Sequence, residues 1–304
     1  MNREERSSPV GQGNVEYPGR LVGLQGRLAR PYWGVMGGWA ALCGALASGQ
    51  LRWEGEALLS LALVIVLTDL AWGSLWDLAT GTDWFRGRRG GWSGMQPDFR
   101  PSLPYTQPAS PAGRLTRGWR ALAGWWSQDF WPAAGPAMLG LAAALVVTIC
   151  LSHLLSERLR PLNAALVALL GLGLFQRQRG PAPLVAQSLV TVGLSWLAGG
   201  LAFAEMKPVS LALACLFSLA GSGVLLASDG RRRGLWLLNG ALAAIAAVLA
   251  LLQEPVAAGA VGLLGLGALL PQLPVRVSDT PVLDGRRLWP WLMAAMLVAA
   301  LAVP

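Results

Sequence analysis

The sequence predicts an all-α protein, a polytopic bundle of transmembrane helices with about nine spans. Hydrophobic residues make up 54% of the chain and charged residues only 13%, whereas a soluble domain usually carries about 25% charged residues. The apolar residues also occur in continuous blocks, long enough to cross a hydrocarbon core of ~30 Å as a helix. These blocks are rich in Ala, Leu, Gly and Val without alternation of period two, so they predict helices rather than a barrel.

Nine apolar blocks are predicted to span the membrane. They cover residues 33–49, 57–78, 133–155, 162–175, 184–203, 209–227, 235–252, 256–270 and 289–303. The fourth and eighth blocks are short, and only residues 253–255 separate the seventh from the eighth, so a re-entrant pair there is the alternative to nine spans. Residues 1–32 are polar and contain no apolar signal-peptide core. We therefore expect a cytoplasmic N-terminal segment, 1–32, and a single membrane domain, 33–304.

Basic residues concentrate in alternate connections between the blocks. If the N-terminus is cytoplasmic, 20 of the 24 Lys and Arg residues fall in cytoplasmic segments, and only Arg52, Arg158, Arg160 and Lys207 fall outside. Positively charged loops remain in the cytoplasm. The pattern predicts a multi-pass cell-membrane protein with its N-terminus in the cytoplasm and its C-terminus outside. The formal charge of +8 then reflects topology and anionic lipid headgroups, and we expect no nucleic-acid partner.

One predicted cytoplasmic connection, residues 81–131, is long. From Gly113 onward the three residues Arg114, Arg117 and Arg120 share one helical face. Apolar contact is supplied by Leu115, Trp119, Leu122, Trp125 and Trp126. This pattern is typical of a short helix in the membrane interface, with Trp at headgroup depth. The connection is either a lid over a cytoplasm-facing site or an anchor with no catalytic role.

Four acidic residues are candidates for chemistry, because an ionisable group at membrane depth is costly and usually functional. Asp69 lies within the second block, and Asp77 follows eight residues later on the same helical face. Asp83 lies just past that block, and Asp229 begins the connection after the sixth block, beside Arg231. Carboxylates beside arginines suit Mg²⁺ and a diphosphate, since Mg²⁺ binds carboxylates together with phosphate oxygens and arginine binds phosphate in bidentate fashion.

The placement of these acids resembles the UbiA-type superfamily of intramembrane prenyltransferases. That family has nine helices, a cytoplasmic N-terminus and two Asp-rich motifs in the cytoplasmic loops after helices two and six. The stretch from Trp76-Asp77 to Asp83 resembles its first motif, Asn-Asp-x-x-Asp-x-x-x-Asp. In this chain Trp76 stands in place of the Asn, Thr80 in place of the middle Asp, and Asp83 one position early.

The resemblance continues beyond the first motif. Arg100-Pro101, with residues 113–116, resembles the Arg-Pro-Leu-x-x-Gly segment that follows this motif in the family. The run from residue 196 to Asp229 resembles the family's helices five and six. The second motif normally holds at least two acids, whereas Asp229 stands alone before three arginines.

The resemblance implies transfer of a prenyl group from a prenyl diphosphate to a lipophilic acceptor in the membrane. Catalytic and Mg²⁺-binding roles would fall to Asp77, Asp83 and Asp229. Phosphate-, acceptor- or cation-binding roles would fall to Asp69, Arg86, Arg88, Arg100, Arg231, Trp72 and Trp76. Mg²⁺ and arginine would neutralise the charge that develops as the diphosphate leaves an allylic cation.

A second hypothesis is a non-catalytic membrane subunit or assembly factor that binds lipid, pigment or partner helices. On that interpretation Asp77 and Asp83 cap a helix end or pair with Arg86 and Arg88, and Asp229 belongs to a loop turn. The single histidine, His153, is expected to be a solvated interfacial side chain. The cysteines are expected to be small apolar packing residues, at positions Cys43, Cys150 and Cys215. Most tryptophans are expected at span ends, and the internal ones are predicted to be Trp39, Trp72, Trp76 and Trp196.

Overall fold

The computed structural model describes residues 35–82, 84, 110–179, 184–272 and 287–303. Within these ranges every regular element is helical and no strand occurs. The predicted all-α class is therefore confirmed for the described part of the chain. The predictions made for residues 1–32, Asp83, Arg86, Arg88 and Arg100 lie outside it.

Nine of the helices coincide with the nine predicted apolar blocks, and a tenth lies where the interfacial helix was predicted. In chain order the described helices are α1 Met36–Ala47, α2 Gly55–Gly81, α3 Pro111–Gly124, α4 Trp131–Leu155, α5 Arg160–Arg179, α6 Leu184–Phe203, α7 Pro208–Ser228, α8 Arg233–Leu251, α9 Pro255–Leu269 and α10 Trp289–Ala302. Seven, α2 and α4 to α9, are long and apolar enough to cross a membrane, and α1 and α10 are shorter apolar helices. The chain is therefore a multi-pass helical membrane protein.

Short turns make consecutive helices antiparallel neighbours. Proline occupies the first turn of α7 and of α9, where its missing N–H is not needed. Gly230, with φ of 77°, follows the end of α7 and allows the chain to reverse into α8. Gln253, with φ of 63°, lies in the tight turn between α8 and α9. These turns explain the close pairing of α7 with α8 and of α8 with α9.

Several helices approach each other closely at glycines. A Cβ added to Gly199 of α6 would overlap the carbonyl of Ala41 in α1, and one added to Gly44 of α1 would overlap the carbonyl of Trp196 in α6. Between α7 and α8, a Cβ added to Gly223 would lie 2.6 Å from a backbone nitrogen. Small residues let helix backbones approach in this way in membrane proteins. These glycines therefore hold α1 against α6 and α7 against α8.

One end of the bundle holds the connections after α1, α4 and α6. Arg158 pairs with Glu205 across two of these connections at 3.4 Å, and Arg160 pairs with Glu157 at 2.7 Å. Arg52 also reaches a glutamate, Glu54, at 4.0 Å. Because these side chains are largely exposed, the pairs add little to stability. Three of the four basic residues at this end are thus matched by acids.

Within the described ranges, three segments widen into π-helix. They are Val66–Trp72 within α2, Trp125–Phe130 between α3 and α4, and Leu189–Leu194 within α6. The first and the third contact each other inside the bundle. π-Helical turns are rare and occur frequently at functional sites. The candidate functional site lies where these two π segments meet.

Candidate functional site

Asp69 lies in the π segment of α2, half-buried, at the point where α1, α2 and α6 meet. A Cβ placed on Gly37 of α1 would lie 3.5 Å from Asp69 Oδ1, 3.5 Å from Ser195 Oγ and 3.3 Å from the carbonyl oxygen of Thr68. Since the Asp69 and Ser195 oxygens each lie 3.5 Å from one point, they are at most twice that distance apart. The structure therefore brings an acid and a hydroxyl together in the interior of the bundle.

Hydroxyl groups satisfy the backbone of both π segments. Thr68 Oγ1 donates to the carbonyl of Val64 at 3.0 Å in α2. In α6, Ser195 Oγ donates to the carbonyl of Val190, five residues earlier, at 3.1 Å. Within a membrane the carbonyls that an irregular helix frees need such partners, because lipid offers none. The two hydroxyls thus stabilise the widened turns that hold Asp69 in place.

Trp72 and Trp76 are both buried, as predicted. Trp72 is fully buried, and its indole Nε1 has no hydrogen-bond partner within the described residues. The Trp76 ring packs on α5, where a Cβ added to Gly173 would lie 3.2 Å from the ring. Both rings therefore contribute to helix packing along α2, and the other predicted internal tryptophans behave alike: Trp196 is buried and Trp39 is partly buried.

Asp77 is exposed near the end of α2. The last turns of α2 pack mainly on α4 and α5: a Cβ on Gly140 of α4 would lie 3.3 Å from Leu78. Trp84 closes the helix end by donating from its Nε1 to the carbonyl of Ala79 at 2.9 Å, which satisfies one of the terminal carbonyls. The structure thus leaves Asp77 accessible at a capped helix end.

Asp229 and Arg231 contact each other in the turn after α7. Their ion pair spans 3.0 Å, and each side chain is 51% exposed. Across the described ranges there is no group of three or more His, Cys, Asp or Glu residues able to hold a metal ion. A three-ligand site formed by Asp77, Asp83 and Asp229 would need Asp83, which lies outside those ranges.

Sequence reasoning missed the serines that connect α6 and α7. Ser188 Oγ donates to the carbonyl of Ser218 at 2.7 Å, and Ser222 Oγ donates to the same carbonyl at 2.8 Å. Trp196 Nε1 donates to Ser210 Oγ at 3.1 Å, and its ring stacks on Phe217 at 5.3 Å between centroids. The signal was present as hydroxyl residues spaced by four or seven within otherwise apolar blocks, on the buried helix face.

The histidine and the cysteines lie away from the Asp69 site. His153 is exposed in the last turn of α4. Cys43 is buried in α1, whereas Cys150 and Cys215 are exposed on the outside of the bundle, and all three are free thiols. Cys43 therefore packs as expected, and the other two face the membrane side of their helices.

Known proteins add no further information about this site. No family model, no curated protein and no solved structure matches the chain.

Proposed function

We propose that this chain transfers a prenyl group from a prenyl diphosphate to a lipophilic acceptor within the cell membrane. The observation that carries the proposal concerns α2, where Asp77 is exposed at the helix end and Asp69 is half-buried eight residues earlier. At about 1.5 Å per residue, the two acids are separated by ~12 Å along the helix axis. One helix thus combines a polar end suited to a diphosphate with an interior acid, beside Ser195, suited to a polar group of the acceptor.

The proposal includes an orientation, with the N-terminus and the end of α2 facing the cytoplasm. The distribution of 20 of the 24 basic residues supports this assignment. Reporter proteins fused after residues 88 and 232 should both lie in the cytoplasm. Reporters on opposite sides of the membrane would refute the proposed orientation.

Mg²⁺ is the cofactor that this reaction implies. Asp77 and Asp229 offer carboxylate oxygens, the donor type that Mg²⁺ uses together with phosphate oxygens and water, and Asp83 would be the third ligand. When bound, Mg²⁺ supplies charge neutralisation at the leaving diphosphate. Arg231, which now pairs with Asp229, would turn to the phosphate, and Arg86, Arg88 and Arg100 would assist it. The apolar neighbours of α2 would keep water away from the reacting carbon.

A transfer assay with an acid-to-amide variant tests the proposal. Inverted membrane vesicles containing the protein are supplied with labelled geranylgeranyl diphosphate and a lipid extract as the source of acceptor. The change Asp77→Asn should lower the rate of transfer by on the order of a hundredfold, since a charge-stabilising contact in the transition state is lost. Glu254→Gln, an exposed acid in the turn before α9, is the matched control and should retain full activity. Absence of transfer by the unaltered protein, or an equal rate for Asp77→Asn, would refute the proposal.

The second candidate is a non-catalytic membrane subunit or assembly factor, and the surface of α4 favours it. In the most apolar 18-residue stretch of α4, only 11% is buried within the bundle. The rest leaves a wide face for lipid, pigment or partner helices. Val146 lies on that face and is 59% exposed. Purification from native membranes followed by mass spectrometry should then yield a stoichiometric partner or pigment. Val146→Trp should release it, whereas Leu219→Trp, on the outer surface of α7, should not.

A further inference from the structure

The helical backbone continues without a break from α3 through the π turn Trp125–Phe130 into α4. The 25 residues of α4 measure about 37 Å at ~1.5 Å per residue, which already exceeds a hydrocarbon core of ~30 Å. The segment α3 therefore lies outside that core. It either projects into water or lies along the membrane surface.

The exposed side chains of α3 argue for the membrane surface. Leu115 is 76% exposed, Trp119 is 72% exposed and Leu122 is 47% exposed. These positions, with Trp126, recur at intervals of four, three and four residues and so form one stripe along the helix. Among the described residues, α3 packs mainly on the π turn that follows it. A helix projecting into water would hold this whole stripe against solvent, which is unfavourable.

The charge of α3 indicates which kind of membrane surface the helix would bind. Arg114 is exposed. By helical spacing in the sequence, positions 117 and 120, which are also arginines, fall with it on the side of the helix opposite the stripe. No acidic residue occurs from Pro111 to Gln128. An apolar stripe of Trp and Leu backed by a purely basic face is the composition of helices that lie in the interface of anionic membranes.

The π turn Trp125–Phe130 carries an aromatic cluster at the junction of α3 and α4. Trp126 stacks on Phe130 at 4.7 Å and lies 6.1 Å from Trp131, while Trp125 lies 5.1 Å from Phe130. Tryptophan is favoured at the headgroup layer, so this aromatic cluster marks where α4 leaves the hydrocarbon. π-Bulges are also among the few places where helices bend sharply.

We propose that α3 is an interfacial anchor that binds anionic phospholipid, with the Trp125–Phe130 turn as the bend that lays it along the bilayer. The anchor is independent of any prenyl transfer. Each arginine should increase the surface-bound population of α3 by on the order of fivefold on an anionic membrane. The aromatic cluster should remain at headgroup depth when the arginines are removed, because its position depends on α4.

Spin-label depth measurements on the full chain in nanodiscs test the anchor. A nitroxide is attached at Trp119→Cys, on the stripe, or at Ala121→Cys, on the opposite side, after Cys150 and Cys215 are replaced by alanine. In discs of phosphatidylcholine with phosphatidylglycerol, oxygen dissolved in the lipid should increase the spin relaxation rate of the label at 119. The water-soluble nickel chelate should instead increase the spin relaxation rate of the label at 121. This contrast should weaken in phosphatidylcholine alone and in an Arg114→Gln, Arg117→Gln, Arg120→Gln variant.

Three outcomes would overturn the proposal. Access of the nickel chelate to both labels would show that α3 projects into water. Protection of both labels from both reagents would show that protein covers the helix. An identical contrast in neutral and anionic discs would remove the role of anionic lipid. Oxygen relaxation of a label at Trp126→Cys in all of the discs serves as the internal control for correct insertion.

Discussion

Helices α4 and α6 are both apolar and long enough to span a membrane, yet the bundle uses them in opposite ways. By mean hydropathy α4 is the more apolar of the two. Nevertheless, only 11% of its most apolar 18-residue stretch is buried in the bundle, against 61% of the corresponding stretch of α6. The buried face of α6 is rich in glycine and hydroxyl groups, including Gly199, Ser188 and Ser195. Lipid tails are as apolar as leucine, so apolar character alone does not bring helices together. Between these two helices, burial follows close glycine contacts and hydroxyl groups rather than hydropathy.

The largest expected effect comes from the aromatic centre of α6. Trp196→Ala should lower the free energy of unfolding by about 3–5 kcal/mol, because a fully buried ring leaves a cavity beside Phe217. Trp236, which is 81% exposed on α8, provides the control, and Trp236→Ala should change stability by less than about 0.5 kcal/mol. Denaturant titration in detergent micelles measures both. Equal losses would mean that burial in the bundle does not set the cost.

The glycines of α6 and α4 should respond differently to the same methyl group. Gly199→Ala should destabilise the protein by about 1–3 kcal/mol, because the new Cβ meets the backbone of Ala41. In Gly140→Ala on α4 the Cβ meets only the flexible end of Leu78, so stability should change by less than about 0.5 kcal/mol. Thermal unfolding of the two variants in one detergent compares them directly. A similar loss at Gly140 would show that α4 is packed more firmly than its exposure indicates.

Hydroxyl groups on α6 and on α4 are also expected to contribute differently to stability. Ser188→Ala removes the hydrogen bond from α6 to Ser218 of α7 and should cost about 0.6 kcal/mol, the average for hydrogen bonds between membrane helices, and at most about 1.7 kcal/mol. Thr148 of α4 donates to Ala144 in its own helix, so Thr148→Val should have a smaller effect. Unfolding in micelles with both single variants and the double variant checks this order. A larger loss for Thr148→Val would contradict it.

The smallest effect is expected on the outer surface of α4. Leu139 is 55% exposed, and Leu139→Ala should change the free energy of unfolding by less than about 0.5 kcal/mol. The buried counterpart is Leu213→Ala in α7, where a fully buried side chain is removed and about 2–5 kcal/mol should be lost. The same micelle titration serves both variants. A substantial loss at Leu139 would instead indicate that a second chain covers α4.

Span positions could be predicted because they depend on local composition. A run of about 20 apolar residues specifies a helix in lipid wherever the rest of the chain lies, and each of the nine predicted blocks is helical in the structure. The predicted burial of Trp72, Trp76 and Trp196 is also confirmed, although Trp76 lies only two residues from the end of its block, where tryptophans more often face the interface. The ends were less accurate: the fourth block was predicted to end at residue 175, whereas α5 continues to Arg179. Polar residues extend a helix beyond the apolar core without an apolar signal.

Only part of the candidate site could be predicted from the sequence. Asp69 and Asp77 could be selected because each is an acid in or beside an apolar block. The meeting of Asp69 with Ser195 could not be predicted, because these residues are 126 positions apart in the sequence and their approach requires Gly37 to bring α1 against two π segments. The widening of those segments has no simple composition signature either. The proposed group of Asp77, Asp83 and Asp229 stays a prediction.

By itself, the sequence determined that this is a multi-pass helical membrane protein and where its helices lie, because lipid imposes the same length and polarity on every span. Only the tertiary structure decided which helices pack closely together and where a half-buried acid lies near a hydroxyl. Those choices depend on which backbones can approach closely and which hydroxyls can reach a carbonyl on another helix. Such pairings join residues far apart in the chain, so no local pattern records them.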